Sequence, residues 1–378
     1  MVRFTPLTAF IGNNGSGKSS LVEGLETFQA IVEHGLDRAM QQWHGFEHIW
    51  NQAVPHNLQK PMEGRPYYSN PISFELRGKC WQVFLDKKES MFMRKTPFTA
   101  MMKVSAGPGL NELFIHFEKL AVRNQFKVFR DATGRLRDKN KTPESDGHVS
   151  DGESILKEYN PYDSISQWQF VSLVPQAMGS PTPQKRTSGP ARLAKDGSNI
   201  ADYLLHIRRL DQAVFDGIIE TLQYVLPFAR DLQSALTSEL ERTVYLQLTE
   251  GNFKVPGWLL STGTLRILAL LALLRHPEPP PLIVIEEIEN GLDPRTIHLI
   301  VDEIRNAVES GRTQVMLTTH SPYLLDLLDL SHIVLVERVN GQPTFTWPAD
   351  QKSLQKWAKT FGPGRLYTMD RLSRKRGS

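Results

Sequence analysis

The chain holds a single cysteine, Cys80, in 378 residues. That excludes an internal disulfide and points to a reducing, cytoplasmic setting. Long apolar runs are also missing. The longest, around Leu265 to Leu274, is interrupted by Arg266 and falls well short of the ~20 residues a bilayer span needs. No secretory leader is expected, because the first apolar segment, Pro6 to Ile11, reads as a sheet strand. Charge of one sign is absent too. Lys and Arg total 44 against 41 Asp and Glu, so a net charge of +3 neither demands nor excludes a polyanionic partner. There is no internal repeat and no long heptad run, which excludes a long coiled-coil arm. What remains is an ordinary globular composition, with 22% charged residues and enough length to bury a substantial core.

The most informative segment is residues 12 to 19, Gly-Asn-Asn-Gly-Ser-Gly-Lys-Ser. It matches G-x-x-x-x-G-K-[ST] and follows a short apolar strand. Gly12, Gly15 and Gly17 let backbone N–H groups converge on a phosphate chain. Lys18 supplies charge at the β/γ-phosphates, and the Ser19 hydroxyl is a Mg²⁺ ligand. Helical spacing from Ser20 onward adds a helix N-terminus to the anion site.

The C-terminal half supplies complementary groups. Pro281-Leu-Ile-Val-Ile-Glu286-Glu287 reads as a strand buried on both faces, with carboxylates at its C-terminal end, where open α/β sheets place ligands. One carboxylate can hold Mg²⁺ through water, and the next can polarise an attacking water. Before it, Leu260-Ser261-Thr262-Gly263-Thr264 precedes an apolar helix and offers a second anion-binding N-terminus. After it come the turn Asn290-Gly-Leu-Asp293-Pro294 and a further buried strand, Gln314 to Thr319, ending in His320.

In this order the segments resemble the ATP-binding-cassette (ABC) class of ATPases, in particular the SMC, RecF and Rad-type heads and the AAA_21-type ATPases related to the overcoming-lysogenization-defect family. The likeness runs from Pro6 to Arg338. It implies an α/β P-loop NTPase head with a mixed sheet and an inserted antiparallel and helical lobe, using ATP and Mg²⁺. Asn13, Asn14, Gly15, Ser16, Gly17, Lys18, Ser19 and Ser20 would form the Walker A contacts. Ser261 to Thr264 would be the signature loop, with Ser261 and Gly263 meeting nucleotide. Glu286 takes the Mg²⁺-associated Walker B place and Glu287 the catalytic base. Asp293 is like the D-loop aspartate, and His320 like the switch histidine. Such heads pair head to tail around ATP, which implies a homodimer or higher oligomer. A separate nuclease or toxin subunit, and DNA or RNA, are the partners implied. Phage defence or DNA maintenance is the implied setting.

Departures accompany the likeness. Glu286 stands where Asp is usual, Ile288 replaces a frequent proline and Thr262 replaces a glycine. No Q-loop glutamine stands out. Eleven residues before Gly12 leave little room for the usual first strands, and about sixty after His320 leave too little for a Toprim nuclease domain.

The expected organisation is 1–40 and 241–345 as the two halves of the head, 41–240 as the insert and 346–378 as a tail. Within the insert, Pro71 to Leu85 reads as a hairpin turning at Gly78. Leu113 to Glu118 and Phe126 to Arg130 read as strands, 138–153 and 179–197 as loops, and 199–235 as helical. His44, Glu47 and His48 match H-x-x-E-H, but Gly45 weakens the helix a zinc site needs, and zinc is set aside. The basic run Arg123, Lys127, Arg130, Arg135, Arg137, Lys139 and Lys141 reads as a solvated hairpin face. The tail from Arg371 reads as solvated too.

Overall fold

The computed structural model describes residues 2–61, 65–85, 91–131, 133–138, 149–159, 161–185, 191–237 and 242–372. Two compact units divide the chain, one from Met1–Val22 and Trp168–Ser378, the other Glu23–Gln167. Strand β1 (Leu7–Ile11) leads through the glycine-rich loop into helix α1 (Lys18–His34).

The Glu23–Gln167 unit contains α2 (Leu36–Gln41), β2 (Leu58–Gln59), β3 (Tyr67–Tyr68), β4 (Ile72–Leu85), β5 (Met91–Ala106), β6 (Leu113–Val122), β7 (Phe126–Arg130), β8 (Leu136–Asp138) and α3 (Pro161–Ile165). Strands β4 to β8 form an antiparallel meander in chain order. Its inner positions, among them Met102, Val104, Leu120 and Val128, are buried. The Phe28 ring from α1 packs on Phe74 at 5.5 Å.

No turn occurs at Gly78. Strand β4 runs straight through it and pairs with β5 from Ile72↔Val104 to Leu85↔Met91. The glycine instead makes room for a cross-strand ring: a Cβ there would stand 2.9 Å from Phe98. Residues 139–148 of the expected loop, and with them Lys139 and Lys141, lie outside the described residues. The basic run also loses Arg130 from its surface. Its side chain is fully buried, 3.8 Å from the equally buried Glu118. Arg130 donates to the carbonyls of Ser150 and Glu153, and Glu118 accepts from Ser154 Oγ and the Ile155 amide. Alternation on a half-buried strand sends every second side chain inward, which a charge count along the sequence does not register. His44 sits in a turn and Glu47 and His48 in one 3₁₀ turn, so the helix a zinc motif requires is absent there.

The other unit continues with β9 (Gln169–Val171), α4 (Pro175–Met178), β10 (Thr182–Pro183), α5 (Ile200–Leu210), α6 (Gln212–Val225), β11 (Ala229–Leu236), β12 (Thr243–Glu250), β13 (Phe253–Pro256) and α7 (Thr262–Leu274). It ends with β14 (Leu282–Ile285), α8 (Pro294–Glu309), β15 (Gln314–Thr319), α9 (Pro322–Asp326), β16 (Ile333–Val339), β17 (Gln342–Thr346), α10 (Lys352–Phe361) and α11 (Pro363–Thr368). Its main sheet has the order β17-β16-β1-β15-β14-β9, parallel except for β17. Strands β1 and β14 are buried throughout, as expected for a parallel sheet covered on both faces. From Ile267 to Leu274 helix α7 is apolar and buried on all sides, and it sits in the core with the inner faces of α5 and α6. Residues 168–240, read from sequence as insert, cluster with this unit, because β9 adds to β14 and α5 and α6 pack on α7. The helical reading of 199–235 holds to Val225. Beyond it, Ala229–Leu236 is a strand antiparallel to β12.

One titratable group in the smaller unit gives a pH prediction. His116 is 9% exposed and shares a 2.8 Å hydrogen bond with Ser105 Oγ. Burial, helped by the Lys103 charge, pushes its pKa down to about 4. An unfolded chain therefore binds a proton that the folded one refuses between pH ~6.5 and ~4. The contribution of neutral His116 is complete above that window and is lost as pH falls through it. Wild type should lose on the order of 2 kcal/mol more stability between pH 7 and pH 4 than His116→Gln does, measured by urea denaturation.

Candidate nucleotide site

Three neighbouring parallel strands set the site. In the order β1-β15-β14, the residues following their C-terminal ends are Gly12, His320 and Glu286. With ~4.8 Å between strands, the loop and the carboxylates are about 10 Å apart across the sheet edge. Gly12 and Gly17 fit a close approach of backbone. A Cβ on Gly12 would stand 2.1 Å from the Val336 carbonyl oxygen, and one on Gly17, at φ 109°, 2.8 Å from Pro343. The loop ends at the N-terminus of α1, where unpaired amides and the helix dipole favour an anion.

Lys18 is 6% exposed, and its Nζ donates to the carbonyls of Gly12 at 2.7 Å and Asn13 at 3.1 Å. Burial lowers its pKa, while the charges of Glu287 and Glu289 pull it back up. The loop lysine and two carboxylates from β14 thus lie within electrostatic reach of each other. Asn13, Asn14, Gly15, Ser19 and Ser20 are exposed on the loop and first helical turn, whereas Ser16 is buried.

Glu286 follows β14 with its amide bonded to Val171 of β9. Glu287 is exposed and takes a left-handed φ of 47°, a conformation that costs a non-glycine residue about 1 kcal/mol or more. Its amide is held by Thr318 Oγ1 at 3.0 Å, and Asn290 Nδ2 donates to its carboxylate. His320 reaches the same cluster through its backbone, its amide donating to Glu289 Oε1 at 2.5 Å.

Residues 261–264 lie at the start of α7. Ser261 caps α7, accepting from the Thr264 amide at 3.1 Å. Gly263 packs on the next turn, where a Cβ would meet the Gly291 carbonyl oxygen at 3.0 Å. Asp293 caps α8, bonded to Thr296 Oγ1 at 2.6 Å and to the amides of Arg295 and Thr296. That hydroxyl bond in particular holds its carboxyl below the usual range. The structure therefore brings together Gly12 to Ser20, Glu286, Glu287 and His320, and separately joins Ser261 and Gly263 to the turn that precedes Asp293.

Sequence reasoning gave no role to Glu289 or Arg266. Glu289 was visible only as a third acid after the strand. Its Oε1 fixes His320, and its Oε2 is buried without a hydrogen-bond partner. Arg266 on α7 donates to the Leu173 carbonyl at 2.9 Å, and its half-buried guanidinium feels the charge of Glu287. Gln176 is exposed on α4, the helix that follows β9, and β9 is the strand paired with β14.

A phosphate-bound Mg²⁺ suits this chemistry. Buried Ser16 Oγ and Glu289 Oε2 both lack partners, and oxygen donors are what a hard cation and its waters take.

The profile of a family described as "AAA domain, putative AbiEii toxin, Type IV TA system" matches residues 97–326, more than half of the chain. The chain belongs to this family. Its fold is that of an AAA-family ATPase domain, α/β with a mixed sheet. No curated protein matches the AAA-family chain. Among solved structures it is similar to an SMC head bound to the C-terminal winged-helix domain of ScpA, at 13% identity and TM-score 0.47 over 91% of each chain. It is also similar to the SMC head domain from Thermotoga maritima, at 15% identity and TM-score 0.40 over 91% of each. An SMC head from Pyrococcus furiosus with an extended coiled coil, bound to the C-terminal domain of ScpA, matches at 12% identity and TM-score 0.47 over 95% of each. No helix among the described residues is long and apolar enough to cross a membrane.

The cradle gives a stability prediction. Gly12→Ala should destabilise the protein by about 1–3 kcal/mol, because the new methyl meets a backbone carbonyl rather than a movable side chain. Urea denaturation midpoints check it. An unchanged midpoint would mean that the loop and β16 separate freely.

Proposed function

We propose that this protein binds ATP with Mg²⁺ and hydrolyses it at the edge of the β1-β15-β14 strands, and that turnover drives a switch between paired and separate heads. The observation that carries the reading is Lys18, buried in the loop and electrostatically coupled to Glu287 and Glu289. Triphosphate oxygens would replace the Gly12 and Asn13 carbonyls as partners of Lys18 Nζ. The amides of Asn13 to Ser19, with Ser20 at the start of α1, would line the phosphate chain. When bound by Ser19 and Glu286, Mg²⁺ would supply charge neutralisation on the phosphates. Glu287 would accept a proton from the attacking water, its position fixed by Thr318 and Asn290. His320, held through Glu289, would sense the γ-phosphate.

Ser261 and Gly263 would complete the site of a second copy, with Asp293 beside them. The Ser261 cap on α7 and the packing of Gly263 on the Gly291 turn support this reading. ATP would then close a head-to-tail pair and hydrolysis would open it, a two-state element biased by ligand. A cytoplasmic role in phage defence or DNA maintenance, with a nuclease or toxin as a separate chain, accords with the family's toxin-system description. One observation favours a second reading, an ATP-holding scaffold with little turnover: Asn290 already occupies one Glu287 carboxylate oxygen.

Steady-state phosphate release decides between them. Glu287→Gln should cut turnover by ~10²-fold or more while ATP binding persists. Equal turnover in variant and wild type would remove Glu287 as the base. Pairing has its own readout: Ser261→Arg should abolish the ATP-dependent dimer in sedimentation while the monomer keeps its melting curve. A normal ATP-driven dimer in that variant would refute the trans contact.

A further inference from the structure

The outer face of the β4–β8 sheet carries a pattern that the nucleotide site does not use. Outward positions hold Lys103 on β5, Phe117 and Lys119 on β6, Lys127 and Phe129 on β7, and Arg137 on β8. Register sets them in rows. Lys103 is opposite Phe117, and Lys119, Phe129 and Arg137 are in line across three strands. The Lys103 ammonium lies 5.8 Å from the centre of the Phe117 ring. Both phenylalanines are half-buried and Arg137 is exposed. The described outward positions of β5 to β8 hold no carboxylate, and Glu75 at the β4 end of the row is paired with Arg77 at 2.7 Å. Asp131, just past β7, is 3.5 Å from Arg137. A hollow of about 390 Å³ opens on the same face, lined by Tyr67, Met101, Lys103, His116, Phe117 and Asp131. It is within the size range of small-ligand pockets. A register shift between Lys103 and Val104 leaves His116 as the extra residue, the kind of bulge that re-aims side chains beside binding sites.

Cations alternating with accessible rings select a polyanion that also presents flat apolar groups. A single nucleic-acid strand offers both. A duplex hides its base faces, and an anionic bilayer meets the charges but has nothing planar to lay on the rings. We propose that this face binds single-stranded nucleic acid, with phosphates on Lys103, Lys119, Lys127 and Arg137 and bases stacked on Phe117 and Phe129. This gives the nucleic-acid partner a surface within one unit and does not depend on ATP turnover.

The test uses the full chain with fluorescein-labelled oligothymidylate and oligouridylate, a duplex of equal length, and phosphatidylglycerol vesicles. Single strands should bind more tightly than duplex. Four phosphate contacts should weaken binding about 50-fold between ~50 and ~200 mM salt. Phe117→Ala and Phe129→Ala should each weaken it by about 5- to 100-fold. Phe129→Leu, which keeps the apolar bulk but not the ring, should behave like Phe129→Ala, and Phe129→Tyr like wild type. The joint Lys119→Glu and Arg137→Glu variant should lose binding. Equal binding by Phe129→Leu and wild type, duplex bound as tightly as single strand, binding to vesicles alone, or no binding at low salt would each overturn the proposal. Phosphate release from the same samples reads the nucleotide site separately, so either assignment can fail while the other stands.

Discussion

The adjacency of three strand ends is the constraint on which the rest depends. Strands β1 and β14 are far apart in sequence and are brought two positions apart by β15, which pairs with both. The parallel direction of all three puts every following loop on one edge. Only that arrangement lets a lysine from the first turn of α1 feel carboxylates some 270 residues later, a gap counted from Lys18 to Glu287. The buried faces of β1 and β14 and the apolar stretch Ile267 to Leu274 of α7 share one core that fixes the edge. Beside it Glu287 is held at positive φ, and Gly12, lacking a Cβ, lets the Val336 carbonyl come close. Strain of this kind persists where surrounding structure over-determines it, and such places cluster at functional sites.

The second constraint is the packing at the start of α7. The cap of α7 and the turn before α8 touch each other, whereas Lys18 is engaged with its own loop. Arg266 is the residue whose charge bridges the two neighbourhoods, from α7 toward Glu287. The paired-head proposal assigns these two neighbourhoods to facing copies of the chain.

Much of this was legible in the sequence. The G-x-x-x-x-G-K-S run, the apolar strand before Glu286 and the apolar helix after Ser261 are local signals, and each lies where its pattern predicts. What stayed hidden depends on partners distant in sequence. Gly78 looked like a turn because nothing local shows that Phe98 fills its place. The strand Gln169–Val171 is too short for a period, yet it moves residues 168–240 into the head unit. Arg130 counted as surface charge until its pairing with Glu118 placed it inside. Glu289 was an acid without a task until the fold put its Oε1 on the His320 amide and its charge within reach of Lys18.

The most direct test of the central claim is a structure determined with a non-hydrolysable ATP analogue and Mg²⁺. The account predicts the triphosphate wrapped by residues 12–19, with Lys18 Nζ released from the Gly12 and Asn13 carbonyls and the β14 carboxylates facing the γ-phosphate. A nucleotide bound elsewhere, or Glu286 and Glu287 turned away from it, would contradict the account.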